Sequence, residues 1–170
     1  MPLPSELREF VFSPLGVGFL ADRFLPSPYG ILYQRGGGMQ SGKTRWTHYN
    51  IAYHFVWIPK YRRRILTGEV QVETKRLISE CCERQGITLL AIETDEDHVH
   101  VFVSAPPRFS PAQIAGLLKG YSSKYLREKF PALKKKCGKD HLWTQAYYVG
   151  TAGNVSAEVI RRYIEECQGQ

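Results

Sequence analysis

Asp97-His98-Val99-His100-Val101-Phe102-Val103 sets two metal-ligating side chains into a strict alternation. That alternation is the period of a strand with one buried face. Val99, Val101 and Val103 point one way, into a core, whereas His98, His100 and Phe102 share the other side. Two neutral imidazoles standing side by side can converge on one cation. The plainer alternative is a pair of half-exposed histidines on a sheet surface, and only a second, distant piece of chemistry decides between the two.

A phenol near the end of the chain could supply that chemistry. Ser156 can cap a helix from Ala157 to about Cys167, with Glu158 favourably placed in its first turn. Its stripe is Val159, Ile160, Tyr163, Ile164 and Cys167. A tyrosine on such a stripe is most often core. In the functional reading, the helix presents the phenol to the cation on the sheet. A phenol with a pKa near 10 is a poor nucleophile at neutral pH. A divalent ion polarising a scissile phosphate lowers that barrier. Attack would leave a covalent phosphotyrosine and a free 3′-hydroxyl, conserving the bond energy for rejoining.

The elements that must position these groups follow from the periodicities. Tyr49, Ile51, Tyr53, Phe55 and Trp57 share one face of a strand, and Asn50, Ala52, His54, Val56 and Ile58 the other, so the strand is central. Pro59 ends it. Thr67 to Gln85 reads as a helix with the stripe Val70, Thr74, Leu77, Ile78, Cys81 and Cys82, followed by Gly86 as a C′ residue. Ile87 to Glu93 is a second strand, and the tight acidic turn Thr94-Asp95-Glu96 makes it a hairpin with the histidine strand. Ser110-Pro111-Ala112-Gln113 is a capping box opening a helix with the buried stripe Ile114, Leu117, Leu118, Tyr121 and Tyr125. A basic loop at 134–139, a last strand within Leu142 to Thr151 and a flexible elbow at 150–154 precede the tyrosine helix. The order strand, helix, strand, strand, helix, strand predicts an α+β, ferredoxin-like split β-α-β sandwich with an antiparallel sheet and an extra C-terminal helix. Its helices cover one face of the sheet and leave the histidine face available.

Composition narrows the partner. The 170 residues carry a net charge of +7 and a pI near 9.3, which favours a polyanion, with nucleic acid the leading candidate. Lys60-Tyr61-Arg62-Arg63-Arg64 puts four cations around an aromatic, suited to phosphate contact with base stacking. Lys119, Ser122, Lys124 and Arg127 form a second candidate phosphate surface on the later helix. Either could equally be a solvated charged face. No apolar run is long enough to span a bilayer. Cys81, Cys82, Cys137 and Cys167 contain no C-x-x-C pair, so they read as reduced thiols in a cytoplasmic protein, not as a zinc ribbon or disulfide framework.

Residues 1–38 are different in kind. They hold five of the ten prolines and their charges cancel, so the whole +7 lies from Met39 onward. A signal peptide fits poorly, because prolines interrupt the apolar stretches and no basic segment precedes them. Gly36-Gly37-Gly38 then forms a joint before the second methionine. Residues 1–38 are expected to be a dispensable extension, from an over-long start, and 39–170 the working domain. Gly37 to Thr44 matches the phosphate-loop pattern G-x-x-x-x-G-K-T, but an aromatic, β-branched stretch follows instead of a helix, which argues against nucleotide binding.

Taken together, Tyr53-His54-Phe55-Val56-Trp57-Ile58-Pro59-Lys60-Tyr61-Arg62-Arg63, Asp97-His98-Val99-His100, Lys119-Gly120-Tyr121-Ser122-Ser123 and Leu142-Trp143 through Tyr163-Ile164-Glu165 closely resemble the IS200-like transposases. These are the single-tyrosine HUH enzymes of small insertion sequences. The resemblance covers about Trp46 to Gln168 and not residues 1–38. It implies that His98 and His100 ligate Mg²⁺ or Mn²⁺. It implies also that Tyr163 cuts single-stranded DNA and becomes joined to its 5′ phosphate. The partners it implies are DNA hairpins at the element ends and a second copy in a homodimer, in which the tyrosine helix can complete the partner's site. The family pattern also sets a glutamine four residues after the tyrosine as a third ligand. Here Cys167 stands at that position and Gln168 one later, which on an α-helix faces well away. A π-bulge, a frayed chain end or loss of the third ligand all remain open, and with them the activity of this copy. Two other readings stand beside the enzyme: an inactive or domesticated hairpin-binding relative, and a ferredoxin-like RNA-binding module, which needs neither the histidine pair nor the tyrosine.

Overall fold

The computed structural model describes residues 42–43 and 45–151 with their side chains, and the strand segments 24–26 and 32–34 and Ala152 by their backbone. Among the described residues there are eight strands: β1 (Phe24–Pro26), β2 (Leu32–Gln34), β3 (Gly42–Lys43), β4 (His48–Tyr49), β5 (Ala52–Trp57), β6 (Thr88–Thr94), β7 (Val99–Ser104) and β8 (Tyr148–Ala152). The helices are α1 (Gly68–Gln85), α2 (Pro111–Lys129) and α3 (Ala132–Cys137), with a short 3₁₀ turn at Lys60–Arg62.

One sheet runs β1-β2-β6-β7-β5-β8 and is antiparallel at every pairing. Its four-strand portion β6-β7-β5-β8, with α1 linking β5 to β6 and α2 and α3 linking β7 to β8, is the expected ferredoxin-like split β-α-β arrangement. Beyond that expectation, two segments of the N-terminal extension lie in the sheet: β2 pairs Leu32 with Ile92 and Tyr33 with Ala91 along β6.

The core forms where periodicity places it. Phe55 and Trp57 of β5 and Val99, Val101 and Val103 of β7 pack with Leu77, Ile78, Cys81 and Cys82 of α1 and Ile114, Ala115, Leu118 and Leu126 of α2. Each fully buried aliphatic side chain contributes roughly 1.5–3 kcal/mol. α1 stops at Gly86, whose φ of 66° lets Ile87 N–H donate to Cys82 O at 2.9 Å. α2 opens on the predicted capping box: Gln113 N–H donates to Ser110 Oγ at 3.2 Å and Ser110 N–H to Gln113 Oε1 at 2.8 Å.

Several expectations need correction. The buried stripe of α2 is Ile114, Ala115, Leu118, Ser122 and Leu126, with Leu117, Tyr121 and Tyr125 only partly buried. The helix is therefore turned from the expected orientation, because Tyr121 reaches sideways to donate to Glu80 Oε1 at 2.7 Å and keeps its hydroxyl near solvent. Ser122 consequently lies inside. Its hydroxyl donates to Leu118 O (2.7 Å) and accepts from the indole N–H of Trp143 (2.9 Å). The expected basic loop at 134–139 is largely helical as α3, because Leu133 and Cys137, four residues apart, are both buried anchors. The last strand begins only at Tyr148: Leu142 and Trp143 are buried short of it, with Trp143 bridged to Pro59. Gly150 to Ala152 pair with His54 to Ala52, so the part of the expected elbow that is described is strand. Residues 153–154 and the tyrosine helix lie outside the described residues. At the phosphate-loop pattern, Gly42 and Lys43 pair as a strand with Tyr49 and His48, and no helix opens there to cradle phosphates.

Candidate functional site

β7 carries the histidine pair as its alternation requires. Val99, Val101 and Val103 are fully buried, while His100 emerges on the opposite face and His98 sits one residue before the strand. The two imidazoles stand edge to face, with ring centroids 4.9 Å apart. That second face is not bare, since Phe102 and His54 on it are both buried.

Each histidine has an engaged Nδ1. His98 Nδ1 lies 2.7 Å from Asp97 Oδ1, and the other carboxylate oxygen of Asp97 accepts from Arg62 Nε at 2.8 Å. The His98 imidazole, together with Arg62, holds the Asp97 carboxyl below the usual carboxylate range. His100 Nδ1 lies 3.0 Å from His54 Nε2. His54 comes from β5, where the sheet register places Val56 opposite His100 and His54 opposite Phe102. Its ring stacks on Phe102 at 4.2 Å and 6° and meets Tyr148 edge-on at 5.9 Å. His54 stands among the even-numbered residues of its strand in the sequence, but only the sheet register brings it to His100.

Burial drives the chemistry of this pair. Desolvation, reinforced by His100, pushes His54 down to about 4; desolvation, reinforced by His98, does the same to His100. Both rings are therefore neutral at pH 7 and retain a lone pair, the state a divalent ion requires. Their folded pKa values lie below the unfolded one, so the unfolded chain takes up protons first as the pH falls. Stability from this source is complete above about pH 7, is lost between about 6.5 and 4, and falls no further below that. The loss is on the order of 3 kcal/mol for either histidine and less than twice that for the coupled pair. Urea midpoints of the metal-free chain at pH 7.5 and 4.5 should show it, and His54→Gln should flatten the difference. Equal slopes in both proteins would remove the assignment.

Asp95, Asp97 and His98 also offer ligand atoms within 4.8 Å of one another. Asp97 already accepts from both His98 and Arg62, and Asp95 Oδ1 accepts from Glu96 N–H at 2.6 Å. A cation there would have to displace hydrogen bonds already made, whereas the outer nitrogens of His98 and His100 need no such displacement. The outer nitrogens of the paired histidines are therefore the more available ligand atoms, and a divalent ion held there would complete its shell with oxygen donors such as phosphate and water. Cys167 and Gln168, the two residues considered for a third ligand, lie outside the described residues, as does Tyr163.

The loop Lys60 to Arg64 runs beside this pair under strain. Tyr61 and Arg62 both adopt positive φ, 61° and 49°, a region that side chains other than glycine seldom enter. The result aims Arg62 at Asp97 and leaves Tyr61 two-thirds exposed beneath Lys60, whose ammonium lies 5.1 Å from the ring. Arg63 is exposed, and Arg64 reaches Glu96 only at 3.9 Å across solvent. The loop is stitched to the segment before β8: Lys60 N–H donates to Leu142 O at 2.8 Å, and Thr144 N–H to Ile58 O at 3.1 Å.

Between that segment and α2 opens a cavity of about 490 Å³ whose walls include Lys119, Ser123, Lys124, Arg127, Lys134 and His141. Lys119 donates to Gln145 O (2.8 Å) and Ala146 O (3.3 Å), and desolvation lowers its pKa. Arg127 donates to Asp140 O at 2.8 Å, while its buried Nε makes no hydrogen bond among the described residues. Lys124 is exposed. Ser122 does not belong with these residues: fully buried and already using its hydroxyl in both directions, it has no route to a phosphate.

By fold and site, the chain is an α+β protein whose ferredoxin-like sheet displays an adjacent histidine pair next to a basic loop. The family described as "Transposase IS200 like" matches residues 47–167. The chain belongs to that family. It is similar to the transposase of insertion sequence element IS200 from Salmonella typhimurium, at 36% identity over 72% of this chain and 81% of that protein. It is also similar to the ISDra2 transposase TnpA of Deinococcus radiodurans, at 31% identity over 75% of this chain and 91% of that one. Among solved structures, a 1.90 Å crystal structure of a Deinococcus radiodurans R1 protein described as a transposase superposes with a TM-score of 0.62, 31% identity, 74% of this chain and 96% of that chain. No helix among the described residues is long and apolar enough to cross a membrane.

Proposed function

We propose that this transposase cleaves and rejoins single-stranded DNA at insertion-sequence ends through a 5′-phosphotyrosine on Tyr163. The observation that carries the proposal is the adjacent pair His98 and His100, each with its Nδ1 engaged, in a chain whose family match extends through Tyr163. His98 and His100 would hold Mg²⁺ or Mn²⁺, which when bound would supply polarisation of the scissile phosphate. Tyr163 Oη forms a bond to phosphorus as the bond to the 3′-oxygen breaks, the phenolic proton passes to solvent, and the 3′-oxygen leaves as a hydroxyl. The reverse attack by a 3′-hydroxyl rejoins a strand and releases the phenol.

The DNA partner in this reading is a hairpin near the element end. Tyr61 offers an exposed ring for base stacking, and Lys60, Arg63, Arg64, Lys124 and Arg127 offer charge to phosphates. A homodimer, with the tyrosine helix serving either its own or the partner's site, completes the proposal. Residues 1–38 precede the family match and take no part in cutting. A chain begun at Met39 is therefore expected to cut at the full chain's rate, which a time course of strand cleavage would check.

The deciding experiment incubates the full chain with single-stranded element ends and Mn²⁺ and then denatures the mixture. A covalent protein–DNA band supports the enzyme. Hairpin binding without that band supports the second reading, a catalytically inactive or domesticated relative, which the cysteine at position 167 keeps in play.

A further inference from the structure

We propose that Asp97 and His54 are the positioning residues of the site, each taking the Nδ1–H of one histidine so that His98 and His100 both present an unprotonated Nε2. The inference rests on reading that pair as the ligands of a divalent ion.

His98 lies one residue before β7, and its carbonyl accepts from Asp95 N–H at 3.0 Å, a contact that fixes the backbone but not the ring. What holds it is Asp97, 2.7 Å from its Nδ1. A carboxylate only accepts hydrogen bonds, so the proton of a neutral His98 must sit on Nδ1 and the lone pair on Nε2. Asp97 cannot swing away freely, since its second oxygen takes the Nε–H of Arg62 at 2.8 Å. The strained backbone at Tyr61 and Arg62 is what brings that guanidinium to the carboxylate.

His100 is oriented differently. Its partner is another imidazole, 3.0 Å away and within 13° of coplanar, which is the geometry for an in-plane N–H···N bond. His54 is itself fixed between strands, stacked on Phe102 and edge-on to Tyr148. An imidazole can donate or accept, so His54 sets the tautomer of His100. With its Nε2 accepting, the His100 lone pair turns outward to join that of His98. One ligand is thus braced by a charged pair and the other by a neutral ring. Partners that orient metal-binding histidines in this way typically change metal affinity ~10–100-fold when removed.

The test is long-range ¹H–¹⁵N NMR of the full, metal-free chain at pH 7.5, followed by Mn²⁺ titration. We expect His98 and His100 to carry their protons on Nδ1 and His54 Nε2 to be unprotonated. Asp97→Ala should scramble the His98 tautomer and weaken Mn²⁺ binding ~10–100-fold, and His54→Leu should do the same through His100. Asp97→Asn and His54→Gln, which keep an accepting oxygen, should restore most of the affinity. An Nε2 proton on either His98 or His100 in the wild-type protein, a reading that needs no variant to fold, would overturn the proposal. Expected tautomers with Mn²⁺ affinity within twofold of wild type in both Asp97→Ala and His54→Leu would overturn it while leaving the ligand pair intact. Failure of the wild-type chain to bind Mn²⁺ at all would remove the ion reading, and this proposal with it.

Discussion

Tyr163→Phe is expected to abolish the covalent protein–DNA product and to lower strand cleavage by at least 10³-fold, with hairpin affinity unchanged. The substitution removes one oxygen and nothing else, so the aromatic ring is kept while the attacking atom is lost. No neighbouring residue can substitute for it by proton transfer alone, because the reaction requires a bond from protein to phosphorus. A denaturing gel of labelled single-stranded ends measures the product directly. Cleavage by Tyr163→Phe at the wild-type rate would remove tyrosine from the mechanism. An unchanged band would point to a different attachment site.

The second large effect separates cutting from binding. His98→Ala is expected to reduce Mn²⁺ binding and cutting to background, yet to leave hairpin affinity within about twofold. The opposite pattern is expected of Lys124→Ala with Arg127→Ala, whose side chains line the basic cavity on the helical side of the fold. Removing two phosphate contacts should weaken binding and lower the salt dependence, by about 0.9 in the log–log slope per contact on duplex and about 0.7 on single strands. Any covalent product still formed at saturating DNA should then approach the wild-type amount. Titrating a labelled hairpin at several salt concentrations, alongside the gel assay, reads both. Loss of hairpin binding in His98→Ala equal to its loss of cutting would contradict the assigned role of the histidine.

Both predictions rest on features that differ in how visible they are in the sequence. Single-strand alternation and helix punctuation are local, and they place β5, β6, β7, α1 and α2 close to where the structure has them. The pair His98 and His100 is visible for the same reason, being i and i+2 on one strand. His54 is 46 residues from its partner, and only the pairing of β5 with β7 joins them. Ser122 was misplaced because a serine among lysines reads as surface, whereas the hydroxyl satisfies the indole N–H of a tryptophan 21 residues later. The lysine run of α3 hid a helix for a related reason: composition dominated the reading, while the two buried residues that anchor it are few. Arg62 reads as one of four like charges, and its use on Asp97 depends on a backbone conformation that no propensity suggests.

That conformation has a consequence for engineering. Left-handed geometry at Tyr61 and Arg62 opposes folding by roughly 1–3 kcal/mol per residue, and glycine would relieve it. A selection for thermal robustness alone would therefore favour glycine at either position, discarding the exposed ring at one and the carboxylate brace at the other. Heat tolerance and chemical competence pull in opposite directions at this one turn.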